Sequence, residues 1–76
     1  MSNLNGFSAV QIGKRIREEM NKQNISVQQM SNDIYFGTNS IYRLWAGRVY
    51  PSLYSAVLIA DYLGISLDYL LLGKSK

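Results

Sequence analysis

The chain has 76 residues, a length that allows one small domain with little apolar surface to spare. It contains no cysteine and no histidine, which excludes disulfides and thiolate metal sites and removes the commonest metal ligand and general base, so we expect no metal, no cofactor and no enzyme. The formal net charge of +3 favours an anionic partner.

Hydropathy also limits where the protein acts. No apolar stretch approaches the roughly 20 residues that span a bilayer. Residues 1–6 lack the charged and apolar parts of a signal peptide. We therefore expect a cytoplasmic protein that contacts no membrane, and nothing in the sequence indicates a small-molecule ligand.

The first predicted helix starts at Ala9. Ser8 and Gln11 have the spacing of a capping box, in which each side chain bonds the backbone amide near the other residue. Apolar residues then recur at every fourth position from Ile12 to Met20, which predicts a helix that continues to about Gln23.

Two short helices follow. Ser26 and Gln29 repeat the capping pattern, and a second helix should end near Tyr35. After the polar break at residues 37–40, a third helix is expected from about Thr38 to Trp45, closed by Gly47 in a left-handed conformation. The expected inward residues of these helices are Met30, Ile34, Ile41, Leu44 and Trp45.

A fourth helix should begin at Pro51 and Ser52 and stop at Gly64, and Ser66 can cap a short fifth helix with Asp68 near its positive end. The expected inward residues are Leu53, Val57, Ala60 and Leu63 in the fourth helix, and Leu67, Leu70 and Leu71 in the fifth.

Five short helices with connections of a few residues predict an all-α, compact five-helix bundle. We expect a single domain over residues 1–76 with its core in 9–72, and flexible ends at 1–7 and 73–76.

The segment Ile25–Gly47 resembles the helix-turn-helix of the phage repressor and Cro family, also called the XRE family. The resemblance continues through Pro51–Leu53 to Leu63–Leu71, and Ile12–Arg17 is similar to the opening of that family. About sixty residues, from Ile12 to Leu71, are covered. The resemblance implies a lambda-repressor-like DNA-binding domain with a central helix-turn-helix.

In this family the second helix of the motif, which we call the reading helix, lies in the major groove of double-stranded DNA. By position, the resemblance implies base contacts from Thr38, Asn39, Tyr42 and Arg43. Phosphate contacts are implied at the start of the preceding helix for Ser26, Val27 and Gln28, where the backbone amides of Val27 and Gln28 also favour a phosphate. After the reading helix, phosphate contacts are implied for Arg48 and Tyr50. Arg15 and Arg17 are interpreted mainly as solubilising surface residues.

The chain departs from the family pattern at three places. Val27 stands where glutamine is usual, and Gln28 points about 100° away around the helix. Tyr35 stands where glycine usually takes a positive φ, at a cost on the order of 1 kcal/mol, so that either the turn is built differently or Tyr35 and Phe36 gain compensating packing.

The third departure concerns a buried ion pair. Many members join an arginine late in the first helix to a glutamate late in the reading helix, and the matching residues here are Met20 and Trp45. We expect these two side chains to touch in a sulfur-aromatic contact that replaces the ions.

Family members usually bind two half-sites as symmetric dimers. Apolar residues of the last two helices supply a candidate homodimer surface: Tyr54, Leu58, Tyr62, Tyr69 and Leu72.

Two functions remain open at this point. The first is a sequence-specific DNA-binding transcriptional regulator, a small prophage-type repressor or Cro-like protein. The second is an accessory or antitoxin-like interaction module that keeps the fold without specific DNA binding, for which Val27, Tyr35 and the many tyrosines speak. Arg43 and Arg48 discriminate between them, because a pure interaction surface would not need these charges on the reading side.

Overall fold

The computed structural model describes residues 7–74 as five helices joined by short loops. Their bounds are α1 Ala9–Lys22, α2 Val27–Ile34, α3 Thr38–Trp45, α4 Leu53–Leu63 and α5 Leu67–Leu72. No strand occurs within residues 7–74. The expected all-α five-helix architecture is therefore confirmed. The predicted flexibility of residues 1–6 and 75–76 lies outside the described residues, and for Phe7, Gly73 and Lys74 it stays a prediction.

Serine side chains begin every helix except the third. The hydroxyl oxygens of Ser8, Ser26, Ser52 and Ser66 each accept a hydrogen bond from the backbone amide three residues later, at 3.0–3.1 Å. This bond satisfies one of the amides that a helix start leaves without a partner. By contrast, α3 begins after Gly37, which supplies no side-chain cap.

The core lies between α1 and the other helices. α1 packs on α3 and α5, α2 packs on α3 and α4, and α4 packs on α5. The apolar stripe predicted for α1 is confirmed, because Ile12, Ile16 and Met20 are all buried. Met30, Ile34, Ile41 and Leu44 join them from the helix-turn-helix.

The predicted inward stripe of α4 was half wrong. Leu53 is 74% exposed and Val57 is 49% exposed, whereas Ala56 and Ile59 are buried in their place. Ala60 and Leu63 are buried as predicted. Nearly every residue of this helix is apolar, so its sequence fits more than one helical stripe, and packing against α2 and α5 selects the stripe that contains the small Ala56.

The turn between α2 and α3 has the usual backbone of the motif despite its tyrosine. Tyr35 adopts φ 60° and ψ 36° at the end of α2. Its side chain is 91% exposed, so packing of Tyr35 does not compensate the strain. Phe36 packs against the core, and its carbonyl accepts a hydrogen bond from the Ser31 hydroxyl. These contacts of the neighbouring residue hold the turn.

A glycine in α1 lets the end of α3 approach its backbone. Gly13 is buried, and a Cβ atom at this position would lie 2.2 Å from the Leu44 carbonyl oxygen and 2.7 Å from the Trp45 carbonyl oxygen. Since these are backbone atoms, no rotamer change could relieve the overlap. Gly13 therefore fixes the closest approach between α1 and the reading helix.

Met20, about two turns after Gly13 on α1, touches Trp45 at the end of α3. The indole Nε1–H donates to the Met20 Sδ at 3.3 Å. The predicted contact between these two side chains is thus confirmed, with the sulfur accepting at the edge of the indole ring. Trp45 also meets Tyr42 edge-on, with ring centroids 5.4 Å apart.

A side-chain hydrogen bond ties α4 to α2. The Tyr62 hydroxyl donates to Asp33 Oδ2 at 2.6 Å. Burial, the hydrogen bond to Asp33 and the negative charge of that carboxylate together raise the pKa of Tyr62 from 10.0 to about 12, with burial the largest of the three causes. The folded state therefore retains a proton that the unfolded chain loses above its pKa of 10.

This bond predicts an alkaline loss of stability. The contribution of Tyr62 is fully present below pH 10 and is lost as the pH rises toward 12. In that interval the Tyr62 hydroxyl ionises in the unfolded chain but keeps its proton in the folded state. Urea denaturation from pH 8 to 11 should show a decline in the free energy of unfolding that Tyr62→Phe reduces. Tyr54→Phe, on the exposed side of the same helix, is the control. Equal declines in both variants would contradict this role of Tyr62.

Candidate nucleic-acid interface

The reading helix α3 has one face in the core and one face outside. Ile41 and Leu44 are buried. Asn39, Tyr42 and Arg43 are exposed, and Thr38 is half-buried at the first turn. The four residues predicted to contact bases thus lie on the outer side of α3, at the spacings of three and four that bring helical residues to one face.

Along the second half of α3 lies an open concave surface that we call the arginine groove. Its lining residues are Arg17, Asn39, Tyr42, Arg43, Trp45, Ala46 and Arg48. Three of these residues carry a guanidinium, and none is acidic. The groove therefore offers concentrated positive charge to a ligand that approaches the exposed face of α3.

A second open surface, the turn groove, lies on the other side of Arg43. It runs between the turn before α3 and the linker before α4, and its lining includes Tyr35, Ser40, Arg43, Tyr50 and Ser52. Arg43 borders both grooves. The tyrosines and serines of the turn groove present hydroxyl groups that can donate to phosphate oxygens.

Arg43 and Arg48, the two arginines predicted to contact DNA, have no side-chain partner within residues 7–74. Neither guanidinium is engaged in a hydrogen bond or ion pair in this part of the chain. The backbone amide of Arg48 donates to the Arg43 carbonyl oxygen at 3.1 Å after Gly47 turns the chain with φ 73°. This left-handed turn, predicted from the glycine, places Arg48 directly after the reading helix.

The remaining predicted phosphate contacts fall into different settings. Ser26 uses its hydroxyl oxygen to cap α2, and Gln28 is exposed and donates to the Asn32 side chain at 3.2 Å. The Val27 side chain is buried, which leaves only its backbone amide for a phosphate. Tyr50 is exposed and packs its ring on Phe7, with centroids 5.3 Å apart.

Arg17, interpreted from the sequence mainly as a solubilising surface residue, has a more specific setting in the structure. Arg17 is half-buried, borders the arginine groove and donates from Nη1 to the Trp45 carbonyl oxygen at the end of α3. A signal was present, because Arg17 follows Gly13 by four residues and so lies on the same helix face as that mid-helix glycine. Arg15 instead reaches the other end of the fold and donates to the Leu70 carbonyl oxygen at 3.1 Å.

Exposure differs among the residues proposed for a dimer surface. Tyr54 is exposed, whereas Leu58 and Tyr62 pack partly against the core of their own chain. Tyr69 and Leu72 are half-buried. Leu53 and Val57 lie beside Tyr54, so the exposed apolar patch of α4 consists of Leu53, Tyr54 and Val57.

The described part of the chain shows neither a metal-binding cluster nor a membrane-spanning helix. Residues 7–74 hold no cluster of three or more acidic, histidine or cysteine side chains that could bind a metal ion. None of the five helices is long and apolar enough to cross a bilayer.

The fold and the charged outer face of α3 define a helix-turn-helix protein. Comparison with known families agrees, since the sequence model of the helix-turn-helix family of the XRE and Cro/C1 type matches residues 16–70. The chain belongs to this family and is a DNA-binding regulator of the XRE type. The family is one of regulatory DNA-binding domains rather than of enzymes. No curated protein and no solved structure matches the chain.

Proposed function

We propose that the protein is a sequence-specific regulator that binds operator DNA with α3 in the major groove and acts in the cytoplasm as a small prophage-type repressor or Cro-like protein. The observation that carries this proposal is the arginine groove, because it concentrates three guanidiniums and no carboxylate beside the outer face of α3. The DNA backbone is the anion that fits an extended basic surface of this kind.

Base recognition is proposed for the four outer residues of α3. Asn39 can pair with adenine through its amide, and Arg43 can donate to O6 and N7 of guanine. Thr38 and Tyr42 offer hydroxyl groups together with apolar atoms that suit a thymine methyl. The exposure of Asn39, Tyr42 and Arg43 supports these roles, since none of these side chains is buried in the core.

Phosphate contacts are proposed on either side of this helix. Arg48 and Tyr50 would bind one strand after α3, while Ser26, Gln28 and the Val27 amide would bind at the start of α2. Such contacts fix the orientation of the domain and carry no sequence information. Arg48 is the main candidate for this role, because no group within residues 7–74 binds its guanidinium.

We also propose that the protein binds DNA as a homodimer through its carboxy-terminal half. The exposed patch Leu53, Tyr54 and Val57 supports a contact centred on Tyr54, with Leu58, Tyr62, Tyr69 and Leu72 at its border. A second copy would remove these apolar side chains from water. Analytical ultracentrifugation should find a dimer on DNA, and a monomer at high micromolar concentration with and without DNA would contradict it.

The same patch favours a second candidate function, an interaction module that does not read DNA. In that case Leu53, Tyr54 and Val57 would bind a different protein, and the exposed Tyr35 would add to that surface. The charge of the arginine groove speaks against this function, because a protein partner of the α4 patch would not contact it.

Fluorescence anisotropy with selected and random duplexes at two salt concentrations tests the two functions. For the regulator we expect a short palindromic site. Arg43→Ala should relax its specificity at one base pair, and Arg48→Ala should weaken binding to all sequences with a smaller salt dependence. If no duplex binds better than random DNA, the interaction module becomes the better explanation.

A further inference from the structure

We propose that Arg17 of α1 forms part of the DNA interface and binds a backbone phosphate in the arginine groove together with Arg48. This inference rests on the proposed function and adds a residue that lies outside the helix-turn-helix. In this view α1 both supports the reading helix and touches the duplex.

The position of Arg17 is fixed by the end of α3. Its Nη1 donates to the Trp45 carbonyl oxygen, and this carbonyl is among the last four of the helix, which have no partner within it. The guanidinium has five N–H donors in a planar fork. One donor is used on Trp45, so the others remain for an anion that enters the groove.

The charges around Arg17 also indicate an anion. Arg43 and Arg48 border the same groove, and no Asp or Glu is among its lining residues. The salt bridge between Lys22 and Glu19, at 3.5 Å, lies elsewhere on α1. Three guanidiniums gathered without a carboxylate repel one another, and a phosphodiester group of DNA would relieve this repulsion.

A solubilising surface residue would have a different setting. Lys14 shows that setting, because it is exposed on the same helix and borders neither groove. Arg17 is half-buried, held at its tip and directed along the exposed edge of the reading helix. It therefore acts at a defined point of the interface rather than through the net charge.

The test compares Arg17→Gln with Lys14→Gln, which removes the same charge outside the groove. Affinity for the selected duplex is measured between 50 and 200 mM salt at a temperature at which circular dichroism shows every variant folded. Arg17→Gln should reduce the magnitude of the slope of log affinity against log salt by about 0.9 for each bound protomer, so over this range the affinity should fall about 3.5-fold less per protomer than that of the natural chain. Lys14→Gln should change the slope much less.

Two further arms separate contact from support. Arg17→Lys keeps the charge and should retain the slope of the natural chain. A neutral methylphosphonate in place of the contacted phosphate should lower the affinity of the duplex for the natural chain but not its affinity for Arg17→Gln. The inference is overturned if the natural chain binds its site and Arg17→Gln loses only thermal stability, with the slope and the phosphonate effect unchanged. Failure of the natural chain to bind any duplex specifically would instead remove the proposed function.

Discussion

Replacing Gly13 by alanine should destabilise the protein by ~2 kcal/mol or more, because the new methyl group would overlap backbone oxygens of α3. Alanine is the better helix former by about 0.8–1.0 kcal/mol, so helix propensity taken by itself predicts the opposite sign. The clash should dominate, since a Cβ 2.2 Å from the Leu44 carbonyl oxygen forces α1 and α3 apart. Urea denaturation followed by circular dichroism measures the change.

Gly37→Ala is the matched control for this substitution. A Cβ atom at Gly37 meets nothing within 4 Å, and the residue has φ −64°, which alanine adopts freely. We expect a change within about 0.5 kcal/mol. Equal effects of the two substitutions would mean that α1 and α3 are not held together through Gly13. A stabilised Gly13→Ala protein would refute the close approach outright.

Introducing the family's arginine at Met20 should cost about 3–5 kcal/mol, because the position is fully buried and its present partner Trp45 carries no charge. A chain of 76 residues has a stability of roughly 4–11 kcal/mol on the usual scale per residue. Met20→Arg should therefore remove a large share of the stability, and at the lower end of this range it should leave a large unfolded fraction at room temperature, measurable by circular dichroism and urea titration. Met20→Leu, which keeps the volume, should lose less than about 1.5 kcal/mol.

The double substitution Met20→Arg with Trp45→Glu tests whether the contact replaces an ion pair. If it does, glutamate should recover part of the stability lost with arginine alone, and the double-mutant cycle should give a favourable coupling between the two positions on the order of 2 kcal/mol. A coupling near zero would mean that the sulfur-aromatic contact and the ion pair do not occupy equivalent places in the interface.

Helix boundaries and the helix-turn-helix could be predicted because local signals specify them. The serine caps mark four helix starts, and the wide spacing of apolar residues in α1 leaves one stripe to bury. In α4 almost every side chain is apolar, and the sequence therefore wrongly assigned Leu53 and Val57 to the core. Which stripe is buried there depends on the surfaces of α2 and α5, and these are known only after the helices pack.

The candidate interface divides in the same way. Residues of α3 follow from the motif, since a reading helix has one outer face. Arg17 is far from that motif in sequence and reaches it only because Gly13 brings α1 against the end of α3. The sequence also left open whether Tyr35 packs; in the structure its side chain is exposed, while Phe36 packs against the core. Such placements depend on tertiary contacts.

The uncapped start of α3 affects how the domain adapts to a duplex. Four helices lose a serine hydrogen bond if their first turn opens, whereas the first turn of α3 has none to lose. Local opening at Thr38 and Asn39 is therefore cheaper than at the other helix starts. The end of α3 is held by Arg17 and by the contact of Trp45 with Met20. The reading helix is thus anchored at one end and adjustable at the other. Under the proposed function, this would allow small changes of tilt as α3 follows the shape of the major groove.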